Sequence, residues 1–186
     1  MKVRRACSIF RKPFYGSFGF KSVIIRPIMI KGRKNIFIGK NVTFRNGARI
    51  ECVKSWREQK FNPRIEIGNN VSFEQDAHIV SASNLKIGDN CVFSIRAMII
   101  TTAHSHEQVD RSVLENELIT KDVVIGKNCF FGADVKIFPG VTIGDNVIVG
   151  ANSLVRSDLP SYTICVGNPA KPVKKYDFDS KTWVKL

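Results

Sequence analysis

Large apolar residues recur at every sixth position of this chain, and the tetrapeptide Ile-Gly-x-Asn accompanies them five times. A period of six fits neither the 3.6-residue repeat of an α-helix nor a long alternating strand, but it fits a short strand, a turn and another short strand. The pattern therefore predicts a coiling chain. The repeated apolar positions are, coil by coil, Ile38, Phe44, Ile50; Ile67, Phe73, Ile79; Ile87, Phe93, Ile99; Ile125, Phe131, Ile137; and Ile143, Val149, Val155.

Three six-residue units make a coil of 18 residues, which is the spacing from Ile125 to Ile143. Coils stacked at the ~4.8 Å spacing of β-strands form a triangular prism with the apolar residues inside. We expect the repeated glycines and asparagines at its corners, in left-handed conformations. Cys91 and Cys129 take the place of valine in other coils, so they are predicted to be core residues rather than ligands. The predicted fold class is all-β, a parallel β-helix.

Three spacings exceed the repeat and so locate excursions from the prism. The chain has 11 extra residues near Glu51 to Arg64, two near Ser81 to Asn84, and 20 in the loop from Thr101 to Asp122. The last loop holds His104 and His106 and is longer than a connection requires. Long loops on rigid scaffolds are favoured places for function, so this loop is predicted to be an active-site arm.

The length and composition of the chain indicate one domain, and its charged residues are unevenly distributed. A chain of 186 residues that is 44% hydrophobic suits one domain. The net charge of +13 lies in the first 50 residues, which hold 13 Lys and Arg and no acid, interleaved with aromatics. This segment is either a solvated face with a hydrophobic cap or a surface for an anionic partner. For such a partner a membrane surface comes before nucleic acid, for which no motif is present.

Three expectations concern location and redox state. The chain contains no run of ~20 apolar residues of the kind that crosses a membrane. Its N-terminus carries Arg4 and Arg5 but no long apolar run with a cleavage site, so we expect a cytoplasmic protein. Five cysteines without a CxxC pair favour reduced thiols.

The repeats, the histidine-bearing loop and the ending VGNPAK at 166–171 together resemble the hexapeptide-repeat acyltransferases. The likeness is greatest to the galactoside and maltose O-acetyltransferases and to the O-acetyltransferases of bacterial surface polysaccharides. The resemblance implies a left-handed β-helix, despite the right-handed rule for parallel crossovers. The chain then divides into a basic, aromatic extension (1–35), the β-helix (36–157) with loops at about 51–64 and 101–122, and a C-terminal segment (158–186).

The resemblance also assigns the reacting residues. His104, five residues after the inward Ile99, matches the catalytic histidine, and Arg111, seven residues later, matches a family arginine. Asp76, one coil earlier, corresponds to a residue that holds the acceptor. His106 either contacts substrate or has no role.

The implied acyl donor is acetyl-coenzyme A. Backbone groups around Ala133 and Ala151 are expected to contact its pantetheine arm. Four further residues are expected near its nucleotide end: Arg156, Asn168, Pro169 and Lys171. No metal is expected, and the resemblance implies a homotrimer with active sites between subunits.

A sugar hydroxyl must lose its proton as it attacks a thioester, and a histidine titrating near neutrality suits that role. The predicted reaction is therefore acetyl transfer from acetyl-coenzyme A to a saccharide hydroxyl, with His104 as general base. Trp56, in the first excursion, either stacks on a sugar ring or packs over a coil face.

Three alternatives to this reaction remain. They are N-acetyl transfer to an amino sugar or nucleotide sugar, a zinc enzyme of the γ-carbonic-anhydrase type using all three histidines, and a non-catalytic scaffold. The two-residue spacing of His104 and His106 disfavours the zinc enzyme.

Overall fold

The structure of the chain, a computed structural model, describes residues 14–186. Arg4 and Arg5, and the first 13 residues of the basic, aromatic extension, lie outside the described residues. The described residues form 25 short strands joined by turns, with 3-10 helices at Arg33–Asn35 and Val113–Glu115. Residues 14–186 contain no helix long and apolar enough to cross a bilayer.

Three sheets form the walls of the prism. Sheet A contains β1 (Ser17–Phe18), β4 (Ile36–Ile38), β9 (Ile65–Ile67), β12 (Leu85–Ile87), β17 (Val123–Ile125) and β20 (Thr142–Ile143). Sheet B contains β2 (Val23–Ile24), β5 (Thr43–Phe44), β10 (Ser72–Phe73), β13 (Val92–Phe93), β18 (Phe130–Phe131), β21 (Ile148–Val149), β23 (Thr163–Gly167), β24 (Ala170–Asp177) and β25 (Thr182–Lys185). Sheet C contains β3 (Met29–Lys31), β6 (Arg49–Cys52), β11 (His78–Ser81), β14 (Met98–Ile100), β19 (Lys136–Ile137) and β22 (Leu154–Val155).

Successive coils pair in parallel and in register, so each repeat lies directly on the previous one. Ile79 pairs with Ile50 on one side and with Ile99 on the other, and the other repeated positions pair in the same way. This is the predicted left-handed parallel β-helix. The last two strands, β24 and β25, add to sheet B in antiparallel fashion.

The core is a set of vertical columns. On the inner side of sheet B, four phenylalanine rings stack with centroids 4.2, 4.5 and 4.6 Å apart and with planes within 7° of parallel. These rings are Phe44, Phe73, Phe93 and Phe131, and all are fully buried. Cys91 and Cys129 are also buried, which confirms that they are small core residues.

The repeated glycine and asparagine have different roles at the corner between sheets A and B. Asn41, Asn70 and Asn90 have φ near +60° and their amides form a ladder, with Nδ2 to Oδ1 distances of 3.1 and 2.9 Å. The repeated glycines are not left-handed, so that part of the prediction is wrong. A Cβ on Gly88 would lie 2.7 Å from the Gly126 carbonyl carbon of the next coil, so glycine is required by the close approach of the coils.

The prism begins and ends beyond the predicted boundaries of 36 and 157. β1, β2 and β3 form a coil ahead of the first Ile-Gly-x-Asn, because residues 17–31 supply one strand to each sheet. Tyr15 and Phe18 are buried at this end of the core. At the other end β23 pairs in parallel with β21.

Replacing Gly88 by Ala tests the close approach of the coils. The added methyl would meet backbone atoms that cannot move away, and overpacking of this kind costs about 1–3 kcal/mol. We expect Gly88→Ala to lower the thermal midpoint by roughly 5 °C, measured by circular dichroism. Gly150→Ala is the matched control, because its Cβ would meet mainly the Val166 side chain, which is partly exposed and can move. Equal effects of the two substitutions would contradict the steric requirement at Gly88.

Candidate active site

All three excursions leave the prism at one corner, between sheets C and A. Residues 53–64 connect β6 to β9, residues 82–84 connect β11 to β12, and residues 101–122 connect β14 to β17. The first and third excursions form hairpins, β7 (Ser55–Trp56) with β8 (Gln59–Lys60) and β15 (Thr102–His104) with β16 (Leu118–Thr120). We call the second hairpin, with its tip, the arm, and the first the clasp.

The base of the arm is fixed by hydrogen bonds to the short excursion beside it. The buried Thr101 hydroxyl oxygen accepts from the backbone N–H groups of Ala82 (3.0 Å) and Ser83 (3.1 Å). Asp122 accepts from the Asn84 backbone N–H (2.9 Å) and from the Ser83 hydroxyl. The Ser83 hydrogen bond is the main cause of a lowered pKa at Asp122.

The clasp holds the arm from its other side. Gln59 makes two hydrogen bonds to Leu118: its Oε1 accepts from the backbone N–H (2.7 Å), and its Nε2 donates to the carbonyl (3.2 Å). The Trp56 indole N–H donates to the carbonyl of Asn116 (3.0 Å). Leu118 is the cross-strand partner of His104, so these contacts fix the strand opposite the predicted base.

His104 lies half-buried against the clasp. The Trp56 ring meets its imidazole edge-on, with centroids 5.0 Å apart and planes at 76°. The Nδ1 atom is buried and finds no hydrogen-bond partner among the described residues. Of the two roles open to Trp56, packing against protein is therefore the one observed, although the packing is on His104 rather than on a coil face.

The other predicted residues of the arm are exposed. His106 is open to solvent, and Arg111 lies 3.5 Å from its neighbour Asp110 in an exposed ion pair. Arg111 and Arg57 line a cavity of about 320 Å³ between clasp and arm. Four carboxylates also line the cavity, together with amide and hydroxyl groups; the carboxylates are those of Glu58, Glu107, Glu115 and Glu117.

Asp76, Ala133 and Ala151 lie at a different corner, between sheets B and C. Asp76 occupies a left-handed turn position (φ 61°) in a column with Arg96, Asp134 and Asn152, which share that conformation. Arg96 pairs with Asp134 through two hydrogen bonds of 2.7 and 2.6 Å. Asp76 itself is exposed.

Five of the six residues predicted to hold the donor are arranged along the same corner. Ala133 and Ala151 are on successive coils, where the Ala133 carbonyl accepts from the N–H of Asn152 (2.8 Å). The hairpin of β23 and β24 carries Asn168 and Pro169 at its tip and Lys171 on its second strand. The Gly167 N–H donates to the Ser153 hydroxyl (3.1 Å), which places this tip beside the corner.

Arg156 is not with these residues. Arg156 comes directly after β22, at the position that Phe138 and Ile100 occupy in earlier coils. The arm begins just after Ile100, so Arg156 lies at the margin of sheet C that carries the arm. The predicted residues therefore form two groups, or candidate half-sites, on opposite margins of sheet C, with His104, His106, Arg111 and Arg156 on one side. Asp76, Ala133, Ala151, Asn168, Pro169 and Lys171 lie on the other. One chain does not bring the predicted base and the predicted donor residues together.

His78 projects from the outer face of sheet C, in register with Arg49 and Met98. Burial, followed by the nearby Arg49, lowers the pKa of its imidazole. Within residues 14–186, no three His, Cys, Asp or Glu side chains are grouped as metal ligands, and the three histidines are spread over sheet C and the arm.

Comparisons with known proteins identify the family. Residues 122–157 match the model for the hexapeptide repeat of succinyl-transferase. The chain is 33% identical over 172 residues to WbbJ of Escherichia coli K12, to which lipopolysaccharide biosynthesis O-acetyl transfer is ascribed. That alignment covers 87% of this chain and 83% of the relative.

Solved structures agree with the fold. A point mutant of the Bacillus cereus N-acyltransferase AntD, in complex with dTDP and coenzyme A, superposes with a TM-score of 0.74 at 21% identity, covering 90% of this chain and 88% of that one. The hexapeptide-repeat acetyltransferase VCA0836 of Vibrio cholerae, complexed with acetyl-coenzyme A, gives 0.61 at 25% identity, covering 95% and 79%. The predicted enzyme class and the family resemblance are confirmed, since this chain belongs to the hexapeptide-repeat acetyltransferases.

Proposed function

We propose that the chain transfers an acetyl group from acetyl-coenzyme A to a hydroxyl of a saccharide, in surface-polysaccharide or related saccharide modification, with His104 as the general base. The observation that carries the proposal is the placement of His104, whose ring is held between clasp and arm with one nitrogen buried. The 33% sequence identity to WbbJ, named as an O-acetyl transferase of lipopolysaccharide biosynthesis, supports a saccharide hydroxyl as the acceptor.

The chemistry follows from the two nitrogens of the ring. Since Nδ1 is buried, Nε2 is the nitrogen that remains for a substrate. It takes the proton of the acceptor hydroxyl as that oxygen attacks the thioester carbonyl, and it returns the proton to the departing coenzyme A thiolate. General-base assistance of this kind contributes about 10²–10⁴-fold.

The developing oxyanion requires a hydrogen-bond donor that is already in position. The backbone N–H of Ala133 is the proposed donor, because the rigid coils fix its position without reorganisation. The donor molecule would extend from there along Ala151 toward Asn168, Pro169 and Lys171. The solved neighbours that hold coenzyme A or acetyl-coenzyme A support this donor class.

The acceptor is proposed to enter from the cavity between clasp and arm. Its size and its lining of carboxylates, amides and guanidinium groups suit the hydroxyls of one or two sugar units. Arg111 lines it directly, and His106 lies on the same arm. Asp76 would reach this acceptor from a neighbouring chain.

A homotrimer would complete the site. The two half-sites border sheet C, so three copies with sheet C facing a three-fold axis would bring the arm of one chain to the donor corner of the next. Outward residues of sheet C suit such a contact, because Val80, Met98, Ile100 and Leu154 are all partly buried and apolar. A peripheral contact with an anionic membrane surface and a cytoplasmic location remain predictions.

N-acetyl transfer to an amino sugar or nucleotide sugar is the second candidate. AntD is an N-acyltransferase that shares the fold and whose structure holds dTDP. The chain is closer in sequence to the O-acetyl transferase, at 33% against 21% identity. An acceptor screen with saccharides and amino sugars, reading free thiol released from acetyl-coenzyme A, decides between the two.

Removal of the proposed base is the first test. We expect His104→Ala to lower kcat by about 10²–10⁴-fold, because no other group then takes the hydroxyl proton. Thiol release from acetyl-coenzyme A in the presence of the acceptor found in the screen is the measurement. The exposed Lys121→Ala, at the foot of the arm, is the control and should retain its rate. Wild-type activity of His104→Ala would reject the mechanism.

Mixed trimers test the sharing of the site between subunits. His104→Ala and Ala133→Trp, which blocks the donor corner, should each be inactive alone. When the two are co-expressed with different tags, about three quarters of randomly assembled trimers contain one intact site of three. We therefore expect about a quarter of the wild-type activity to return. No return of activity in purified mixed trimers would place the whole site within one chain.

The clasp gives a further prediction. Gln59→Ala removes both hydrogen bonds to Leu118, so the strand opposite His104 loses its alignment. We expect kcat to fall about tenfold while the KM for acetyl-coenzyme A and the thermal midpoint stay unchanged, since the donor binds at the other margin. Lys60→Ala, an exposed residue of the same hairpin, is the control. A parallel loss of stability would instead indicate a purely structural role.

A further inference from the structure

The first coil of the prism, residues 14–35, forms one end of the described prism. Its strands β1, β2 and β3 are the terminal strands of sheets A, B and C in the described chain. Tyr15, Phe18 and Ile24 of this coil are buried in the core, and Ile30 packs against it. Other large apolar residues of the coil lie outside the core.

Three of those residues are strongly exposed, and each belongs to a different corner. Phe20 is 60% exposed at the corner between sheets A and B, and Ile28 is 73% exposed at the corner between B and C. Phe14 is 59% exposed near the third corner, where the Gly16 N–H donates to the carbonyl of Arg33 (3.2 Å). Exposed apolar groups spaced around one end of a molecule indicate an interaction surface.

A cation stands beside each of them. Lys21 follows Phe20, with its ammonium 5.7 Å from the ring centroid, Arg26 precedes Ile28, and Arg33 lies at the corner of Phe14. None of the three forms an ion pair with a described residue. We call these six side chains the N-terminal face.

The charge around this face is of one sign. Residues 14–50 contain eight Lys and Arg and no acid. Three of these cations pair with acids, Lys31 and Arg49 with Glu51 and Arg45 with Glu74. At the opposite end of the prism Phe178 is also exposed, but residues 158–186 contain three Asp beside five Lys, whereas residues 14–35 contain five Lys and Arg and no acid. The N-terminal end therefore carries the larger excess of positive charge.

We propose that the N-terminal face docks on an anionic lipid bilayer. Phe14, Phe20 and Ile28 would enter the boundary between headgroups and acyl chains, while Lys21, Arg26 and Arg33 pair with lipid phosphates. Apolar groups alternating with cations fit this environment, which offers both a hydrocarbon layer and negative charge. A nucleic acid offers the charge, but it has no continuous hydrocarbon layer that could take up apolar side chains from three separate corners at once.

The proposed trimer would strengthen the docking. Prisms that pack side by side around an axis along their length present their N-terminal faces in one plane, with the Phe14 corner of one chain beside the Ile28 corner of the next. The three faces then form one continuous surface that binds the bilayer together. Docking is independent of catalysis, because the N-terminal face lies on the first coil and His104 lies on the arm, which leaves the prism three coils later. Docking would bring the enzyme to saccharides carried on lipids.

Sedimentation of the full chain with vesicles tests the proposal. We expect binding to phosphatidylcholine vesicles with about 30% phosphatidylglycerol, little binding to pure phosphatidylcholine, and loss of binding at high salt. Lys21→Glu with Arg26→Glu should lower the partition coefficient at least about tenfold, and Phe20→Ser with Ile28→Ser should lower it severalfold.

Two control variants establish that vesicle binding depends on this face. Phe178→Ser with Lys181→Glu alters the opposite end and should bind vesicles like the wild type, and His104→Ala should also bind normally, whether or not His104 is the base. Circular dichroism checks that each variant is folded. Unchanged binding by the N-terminal variants, equal loss in the Phe178 variant, or displacement of the enzyme from vesicles by duplex DNA at matched charge would overturn the proposal.

Discussion

The direct stacking of one backbone turn on the next is the constraint on which this fold depends. At the Ile-Gly-x-Asn turns, atoms of consecutive coils come so close that a single methyl on Gly88 would overlap the carbonyl of Gly126. Such contact fixes the vertical spacing, and the spacing brings the Phe73 and Phe93 rings into face-to-face contact at 4.5 Å. Backbone geometry and core packing therefore require the same distance, and a residue that disturbs one disturbs the other.

This constraint also decides where the chain can vary. The A–B corner is occupied by the asparagine ladder and the B–C corner by tight left-handed turns, so an insertion at either would break contacts to the coils on both sides. All three excursions leave at the C–A corner instead. Consecutive excursions consequently lie one above another, which allows the clasp from one coil to hold the arm from a later one through Gln59 and Leu118.

Sequence reasoning recovered the features that repetition encodes, but not the contacts between excursions. The columns of Ile, Phe and Val and the positions of the excursions follow from spacing alone. Spacing could not distinguish the steric requirement for glycine at Gly88 from the left-handed conformation of Asn90, because both residue types occur once per coil. Spacing also missed the first coil, because residues 17–31 lack the Ile-Gly-x-Asn signature. Gln59 belongs to no repeat, so nothing in its position indicates that it meets the arm. The family resemblance supplied the candidate residues individually, and only the order of the sheets shows that they form two groups. The register of β22 places Arg156 at the margin that carries the arm, not with the donor residues.

The separation of these groups has a geometric consequence for the assembly. Sheet C lies between them, and its strands are fixed in register along the whole prism, so no hinge within one chain can close that gap. If three copies of sheet C surround a common axis, the C–A corner of each chain lies beside the B–C corner of the next. Each such contact joins the arm of one chain to the donor corner of its neighbour. The charges on the same face fit an enclosed position: burial alone would raise the pKa of Glu51, but hydrogen bonds from Arg49 and Lys31 outweigh it and lower that pKa. A carboxylate that is neutralised within its own chain can lie at a subunit contact without a partner from the neighbouring chain. The centre of sheet C therefore needs no specific ion pair across the contact, and the residues at its margins decide which groups of two chains meet.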